Sequence, residues 1–552
     1  MVGKRISAVC LCAALAVCFI ILCLCPVSSA AGLPQKYETS AKTPVLNQKN
    51  NPLCWAYSGS DMLSISAIKN GYAKSGASVF SAPMIARAEF DGNEHRYTKG
   101  KWYNSYGGLD YALFAGTTGK GLARAQDYQT VNAANDAPVS ALYQHFAYID
   151  TILCIETDEL TRQQRTETIK SLIMEYGAVS ASLFVGDYNS VTKIANIKTF
   201  DNTKAAHAVL LVGWDDTKYT DTGTGAFLMK NTWGDGWGNG GYAWISYNSD
   251  MGRSMFAASV TVNGDARVLS HTEICNLSGS YADAKDGKYG AVNVFDVTEK
   301  MTLRSAGAYA GKKNSEIEIN VWVNLSDTNA VMTKKPDAAA KGSYTEAGFY
   351  TLTLDRQLEV KPGDRVTALY LIKSDGKYHV YSEYSDPDFE MAVTSSKEGQ
   401  SYTLSGGKLK TPKGNYIGTV IGFTEHTEPP VTEAPETKPP QTEPPETKPP
   451  VTDPPVTEPP ETETETDIET ETETDDIDIT FDEETEPDTA VIIPITEHTD
   501  TDTVSAEETS SVDLTGAVKK VFKTVLIVIG VIAALFIILI IALVAASKKK
   551  KV

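Results

Sequence analysis

Cysteine is scarce in this chain, and its distribution excludes more than its number does. Of eight cysteines in 552 residues, Cys10, Cys12, Cys18, Cys23 and Cys25 fall within the first thirty positions. Only Cys54, Cys154 and Cys275 remain, too few for a disulfide framework. Cys154 and Cys275 read as buried small hydrophobes or as one bridge, not as a second reactive site. An excess of positive charge is also missing. The net charge of −20 is concentrated between Glu425 and Asp513, where 29 acidic residues face two lysines, while residues 31–424 carry 39 basic and 41 acidic side chains. Near-neutral and without a basic patch, this part offers no nucleic-acid surface. No metal-ligand spacing appears, and nothing implies a cofactor.

Long apolar runs are absent except at the two ends. Near the start, Lys4 and Arg5 precede the run Ile6–Cys25, followed by Pro26 and Ser28-Ser29-Ala30. That order predicts a secretory signal peptide over residues 1–30, with an uncleaved anchor as the alternative. Val525–Ala546 holds 22 uncharged residues, enough to cross about 30 Å of hydrocarbon as a transmembrane helix over 525–546. Lys548–Lys551 follow, so residues 547–552 form a cytoplasmic basic tail and the N-terminal bulk lies outside. Between them, residues 425–515 repeat blocks such as TEPPETKPP and then TETETE. Few large apolar side chains occur there, so this is a disordered stalk, extended by proline and like charge to roughly 3.1 Å per residue.

Two textures remain. Residues 270–424 alternate with period two, most clearly at Ile317, Ile319, Val321, Val323 and Leu325. Further strands are expected at Arg365–Ile372 and, after the turn Ser374-Asp375-Gly376, at Tyr378–Tyr381. Short strands with Gly/Asp punctuation predict an all-β sandwich. Residues 31–262 mix periods: helices are expected over Trp55–Lys69 and Thr166–Tyr176, then strands over Val179–Leu183 and Ala208–Val212. Helices first and strands later predict an α+β domain.

Within that domain four residues form a chemical series. Cys54 directly precedes the first helix, where unpaired amides and the macrodipole favour a thiolate. A thiolate needs a base, and His207 in Ala205-Ala206-His207-Ala208-Val209 is the candidate. Asn231, in Lys230-Asn231-Thr232-Trp233-Gly234, is suited to orienting an imidazole. Gln48 offers a side-chain amide for an oxyanion, beside the Cys54 N–H. Each is weak alone. Their order is not: His207 lies 153 residues after Cys54, and Asn231 a further 24.

With these motifs on the page, residues 47–58 (NQKNNPLCWAYS), 207–214 (HAVLLVGW) and 227–238 (FLMKNTWGDGWG) resemble the nucleophile, histidine and asparagine segments of the papain family of cysteine peptidases. The resemblance covers about 230 residues. It implies a papain-like fold with a helical lobe and a β-barrel-like lobe, and an activity that cuts protein or peptide substrates. It also implies that Trp233 shields the His–Asn bond and that Gly107-Gly108 hold substrate backbone. Departures are Asn51 where the family usually has a half-cystine, Pro52-Leu53 for the common Gly-Ser, and Ala206 where many relatives carry a carboxylate. No propeptide of about a hundred residues fits between Ala31 and Cys54. A papain-like domain, a β domain and a surface anchor together are similar to bacterial cysteine peptidases with a lectin-like domain. That implies a Gram-positive cell surface and a carbohydrate or surface ligand for 270–424, for which Tyr281, Trp322 and Tyr381 are candidate stacking residues. Two alternatives stay open. One is a surface adhesin on a non-catalytic papain-like scaffold, the other a cell-wall transpeptidase or amidase.

Overall fold

The computed structural model describes residues 32–425, apart from 91–100, 105, 184–187, 190–192, 196–206, 253, 273–276, 284–288, 384–395 and 413. The proposed signal peptide, transmembrane helix and basic tail, and the stalk beyond 425, lie outside the described residues, as do Ala206 and Cys275. No helix among the described residues is long and apolar enough to cross a membrane.

The chain opens with β1 (Lys36–Glu38) and reaches helix α1 (Cys54–Lys69). Every residue of α1 from Trp55 to Ile68 is buried, so it is a central helix and not an amphipathic surface one. Its small residues let neighbours in. An added Cβ on Gly59 would lie 2.2 Å from the Ala112 Cβ, which only glycine permits at this crossing. Helix α2 (Ala82–Phe90) and the short α3 (Leu109–Phe114) pack on it. Strand β2 (Ala147–Glu156) follows, then α4 (Arg162–Tyr176). Helix α4 starts a turn before the apolar pattern suggests, because Thr161 and Gln164 form a reciprocal capping box, and it ends at Gly177 with φ 92°.

The second lobe is a sheet built on β4 (His207–Thr220). One edge of β4 takes β3 (Val179–Leu183) and β1, and the other takes β5 (Gly223–Lys230), which pairs with β6 (Tyr242–Ser246). β4 runs beyond the expected Val212 because Gly213 lets the β1 backbone pass: a Cβ there would lie 2.5 Å from the Tyr37 carbonyl oxygen.

The described residues of 254–423 are mostly β-strand, as the alternation over 270–424 predicts for that part. They include β7 (Ser254–Val262), β8 (Ala266–Leu269), β9 (Gly290–Asp296), β10 (Met301–Ala310), β11 (Ser315–Val323), β12 (Ala347–Val360), β13 (Arg365–Ser374), β14 (Lys377–Glu383) and β15 (Gly418–Phe423). In one sheet β13 lies between β9 and β11 and also pairs with β14. The other has the order β8-β15-β10-β12-β2-β7. The second order was not legible in the sequence. Strand β2 of the helical lobe pairs antiparallel with β12, in the register Ala347↔Cys154 to Tyr350↔Thr151. Gly348 is required at this seam, since a Cβ would meet the Ile152 carbonyl oxygen at 2.1 Å. The two halves therefore share one sheet and one apolar core, in which Phe114 of α3 meets Tyr309 and Phe349 edge-on.

Both Trp322 and Tyr381 are buried, Tyr381 in that shared core and Trp322 in a second apolar cluster with Val292, Val294 and Leu369. Trp322 is 1 % exposed with its indole N–H on the Lys334 and Lys335 carbonyls, and Tyr381 packs edge-on to Tyr309. Neither is available to stack on a sugar. The Tyr281 side chain lies outside the described residues. Cys154 is a buried free thiol, not a bridge partner.

Near the seam, the His145 Nδ1 is buried without a hydrogen-bond partner among the described residues. Burial pulls its pKa down to about 4, with Arg267 adding to the effect and Glu299 opposing it. The unfolded chain takes up this proton first, so the stabilisation is complete above about pH 6.5 and fades as pH falls toward 4. Between those limits the melting temperature of His145→Gln should fall less steeply with acid than that of the wild type; parallel slopes would contradict this.

Candidate active site

Cys54 is the first residue of α1, and Leu53 at the cap position supplies no side-chain bond. The terminal amides are thus left for the thiol. Burial pushes the Cys54 pKa up, while the N–H groups of Ala208, Trp55 and Cys54 itself pull it back. The helix terminus therefore offsets desolvation but does not overcome it. His207 begins β4, which is pinned to α1 where the Ser58 hydroxyl donates to the Ala208 carbonyl at 2.9 Å. Burial likewise draws His207 down to about 4, with the Asn231 bond opposing. A lone charge on either group is disfavoured. Moving the proton from sulfur to imidazole creates two opposite charges together and costs less than either alone.

Asn231 directly follows β5. Its Oδ1 lies 2.6 Å from His207 Nε2 and also accepts the Thr232 N–H at 2.7 Å. The second bond fixes the amide, because a backbone N–H requires an oxygen there. Nε2 of His207 must then be the donor, and in the neutral ring Nδ1 is bare and basic. Trp233 lies over the imidazole with ring centroids 4.5 Å apart and is backed edge-on by Trp237 at 5.6 Å. At 36 % exposure it faces solvent on its outer side and covers the histidine on its inner one.

Gln48 is held by the same stretch. Its N–H donates to the Thr232 carbonyl at 2.8 Å, and the Thr232 hydroxyl donates to its Oε1 at 2.5 Å. Nε2 donates one proton to the Asn51 carbonyl at 2.8 Å, leaving the other without an acceptor among the described residues. Asn51, which replaces the usual half-cystine, thus steadies the loop through a hydrogen bond. Gly234, at φ 81°, donates its N–H to the Leu46 carbonyl and lies so near Asn47 that a Cβ would meet its amide at 2.7 Å.

Gly107 packs on the Trp55 ring, where a Cβ would come within 2.7 Å, and Gly108 precedes α3. The glycine pair therefore lies against the residue next to Cys54. All seven residues singled out from the sequence belong to this region. Four others were missed. Thr232 joins Gln48 to Asn231, and Lys230 makes a buried ion pair with Asp61 of α1 at 2.7 Å while also bonding to Thr43 and Pro44. Asp110 sits beside the glycine pair. Thr232 and Lys230 stand within the asparagine motif, where their position was a signal; nothing in the sequence marks Asp61 or Asp110.

A cysteine at a helix start, with an imidazole–asparagine pair on the facing sheet, is the arrangement expected of a papain-like cysteine peptidase. Residues 33–262 match the family model for the papain family of cysteine proteases, and residues 271–411 that for a lectin-like domain. The chain therefore carries a papain-family cysteine protease domain followed by a lectin-like domain. Among curated relatives it is 27 % identical over 219 residues to the gamete and mating-type specific protein A of Dictyostelium discoideum, covering 38 % of this chain but 42 % of that one. It is 24 % identical over 251 residues to a cysteine protease of Blomia tropicalis, covering 43 % and 68 %. A solved structure of the cysteine protease and lectin-like domains of Cwp84, a surface layer associated protein of Clostridium difficile, has a TM-score of 0.57 at 18 % identity over 71 % of this chain and 89 % of that one. Cwp84 after propeptide cleavage gives 0.56 at 19 %, covering 70 % and 97 %.

Proposed function

We propose that this protein is an endopeptidase exposed at a cell surface, where it hydrolyses extracellular proteins or peptides through a Cys54 thioester. The Cys54 thiol gives its proton to Nδ1 of His207, and the sulfur attacks the scissile carbonyl. The resulting oxyanion is met by the Cys54 N–H and the free Nε2 proton of Gln48. His207 then protonates the leaving amine, and water, deprotonated by the same nitrogen, releases the acid product. Asn231 keeps the imidazole turned through Nε2, and Trp233 excludes water from that bond. The observation that carries this reading is the paired bonding of Asn231 Oδ1, which leaves Nδ1 of His207 as a base.

The signal peptide, stalk and apolar C-terminal run read from the sequence support a tethered enzyme, and the lectin-like half a carbohydrate or surface ligand. An epoxide-type thiol reagent should label folded protein once per chain at Cys54 and not label Cys54→Ala. Absence of labelling between about pH 5 and 8 would favour a non-catalytic scaffold.

A further inference from the structure

We propose that Asp110 selects peptides carrying a lysine or arginine side chain close to the scissile bond, in a subsite backed by Tyr309 of the β-rich half. The inference rests on the peptidase reading above and specifies its substrate. It begins with the glycine pair. Gly107 lies against the Trp55 ring, and a Cβ added to Gly108 would fall 1.9 Å from Asp110 Oδ1. The carboxylate therefore folds back over the backbone that runs past the nucleophile's neighbour.

This carboxylate is half-buried, and no cation pairs with it among the described residues. Burial lifts its pKa to about 6, although the N–H groups of Tyr111 and of Asp110 itself stabilise the charge. The titratable groups facing it are the Cys154 thiol on β2 and the Tyr309 hydroxyl on β10, and neither supplies positive charge. A carboxylate partly withdrawn from water is matched when a cation arrives. Tyr309 is 1 % exposed, so its hydroxyl backs the subsite from within the core, beside the Cys154 thiol, and is not itself offered to a ligand. An ammonium or guanidinium has donors enough for both carboxylate oxygens of Asp110. The carboxylate also caps the first turn of α3, which asparagine would do equally well, so charge and capping are separable by one substitution.

The test compares peptides identical except for arginine, lysine or norleucine at successive positions on the acyl side of the cleaved bond. At one position the wild type should favour the cationic peptides about 10- to 100-fold in kcat/KM, the range of a charged hydrogen bond. Asp110→Asn should remove most of that ratio. Wild-type preference should also fade as pH falls through about 6, where Asp110 takes up its proton, and the Asp110→Asn ratio should not change there. Epoxide labelling of Cys54 in the variant shows that its site is folded. An unchanged ratio in labelled Asp110→Asn, or no position favouring a cation, overturns the inference and leaves the peptidase reading intact. Wild type that neither labels nor cleaves any peptide overturns both.

Discussion

Replacing Gln48 by alanine is expected to lower kcat by about 10²- to 10³-fold while Cys54 is alkylated by iodoacetamide at close to the wild-type rate. The magnitude is that of losing one oxyanion donor. The contrast follows from the two reactions: amide hydrolysis passes through a tetrahedral oxyanion, and displacement of iodide does not. Thr232 bears on the same step. Its hydroxyl on Gln48 Oε1 at 2.5 Å turns the amide so that nitrogen, not oxygen, presents the spare position. Thr232→Val should lower kcat in the same selective way, and Thr232→Ser should restore it. Parallel loss of alkylation and hydrolysis in Gln48→Ala would mean that the side chain serves the loop and not the oxyanion.

Removing Asp61 is expected to destabilise the protein by about 3–5 kcal/mol, the cost of leaving a buried charge without its partner. Side chains of Lys230 and Asp61 are 2 % and 6 % exposed, so water cannot take over the vacated contact. The bonds to Thr43 and Pro44 tie the same lysine to the segment leading to Gln48, and its neighbour is Asn231. Asp61→Leu should therefore unfold at lower denaturant concentration and also lose activity. Adding Lys230→Met should recover much of the stability, because an apolar pair of similar volume removes the stranded charge. Denaturant titration of the single and double variants checks this. A single-variant loss below about 1 kcal/mol would place the pair with weak surface contacts.

Local periodicity made much of the fold legible. The alternation at Ile317, Ile319 and Val321 became β11 in the expected phase, and the apolar spacing of Met62, Ile65 and Ile68 became α1. The four chemical residues were legible because reaction type restricts residue type, and chain order restricts it again. What stayed hidden depends on contacts that no period encodes. The pairing of β2 with β12 joins segments as far apart as the Thr351 hydroxyl and the Ile149 carbonyl, separated by 202 positions. Nothing in the pattern of 147–156 says that its free edge is completed by the lectin-like half. The polarity of the Gln48 amide rests on one hydroxyl, and the isolation of Asp110 on the lack of a cation beside it among the described residues. Trp322 and Tyr381 show the converse: aromatic residues in strands look alike in sequence whether they face a ligand or a core, and here both are buried, in two different apolar clusters.

The central claim is that Cys54 becomes covalently bonded to substrate during turnover. Mass spectrometry of the protein acid-quenched within its first turnovers of an ester or slow amide peptide tests that directly. The account predicts a thioester adduct of the acyl fragment on the peptide containing Cys54, absent from Cys54→Ala and longer-lived in His207→Ala if acylation is driven by an activated ester. Turnover with no adduct on Cys54, or an adduct on another residue, would contradict it.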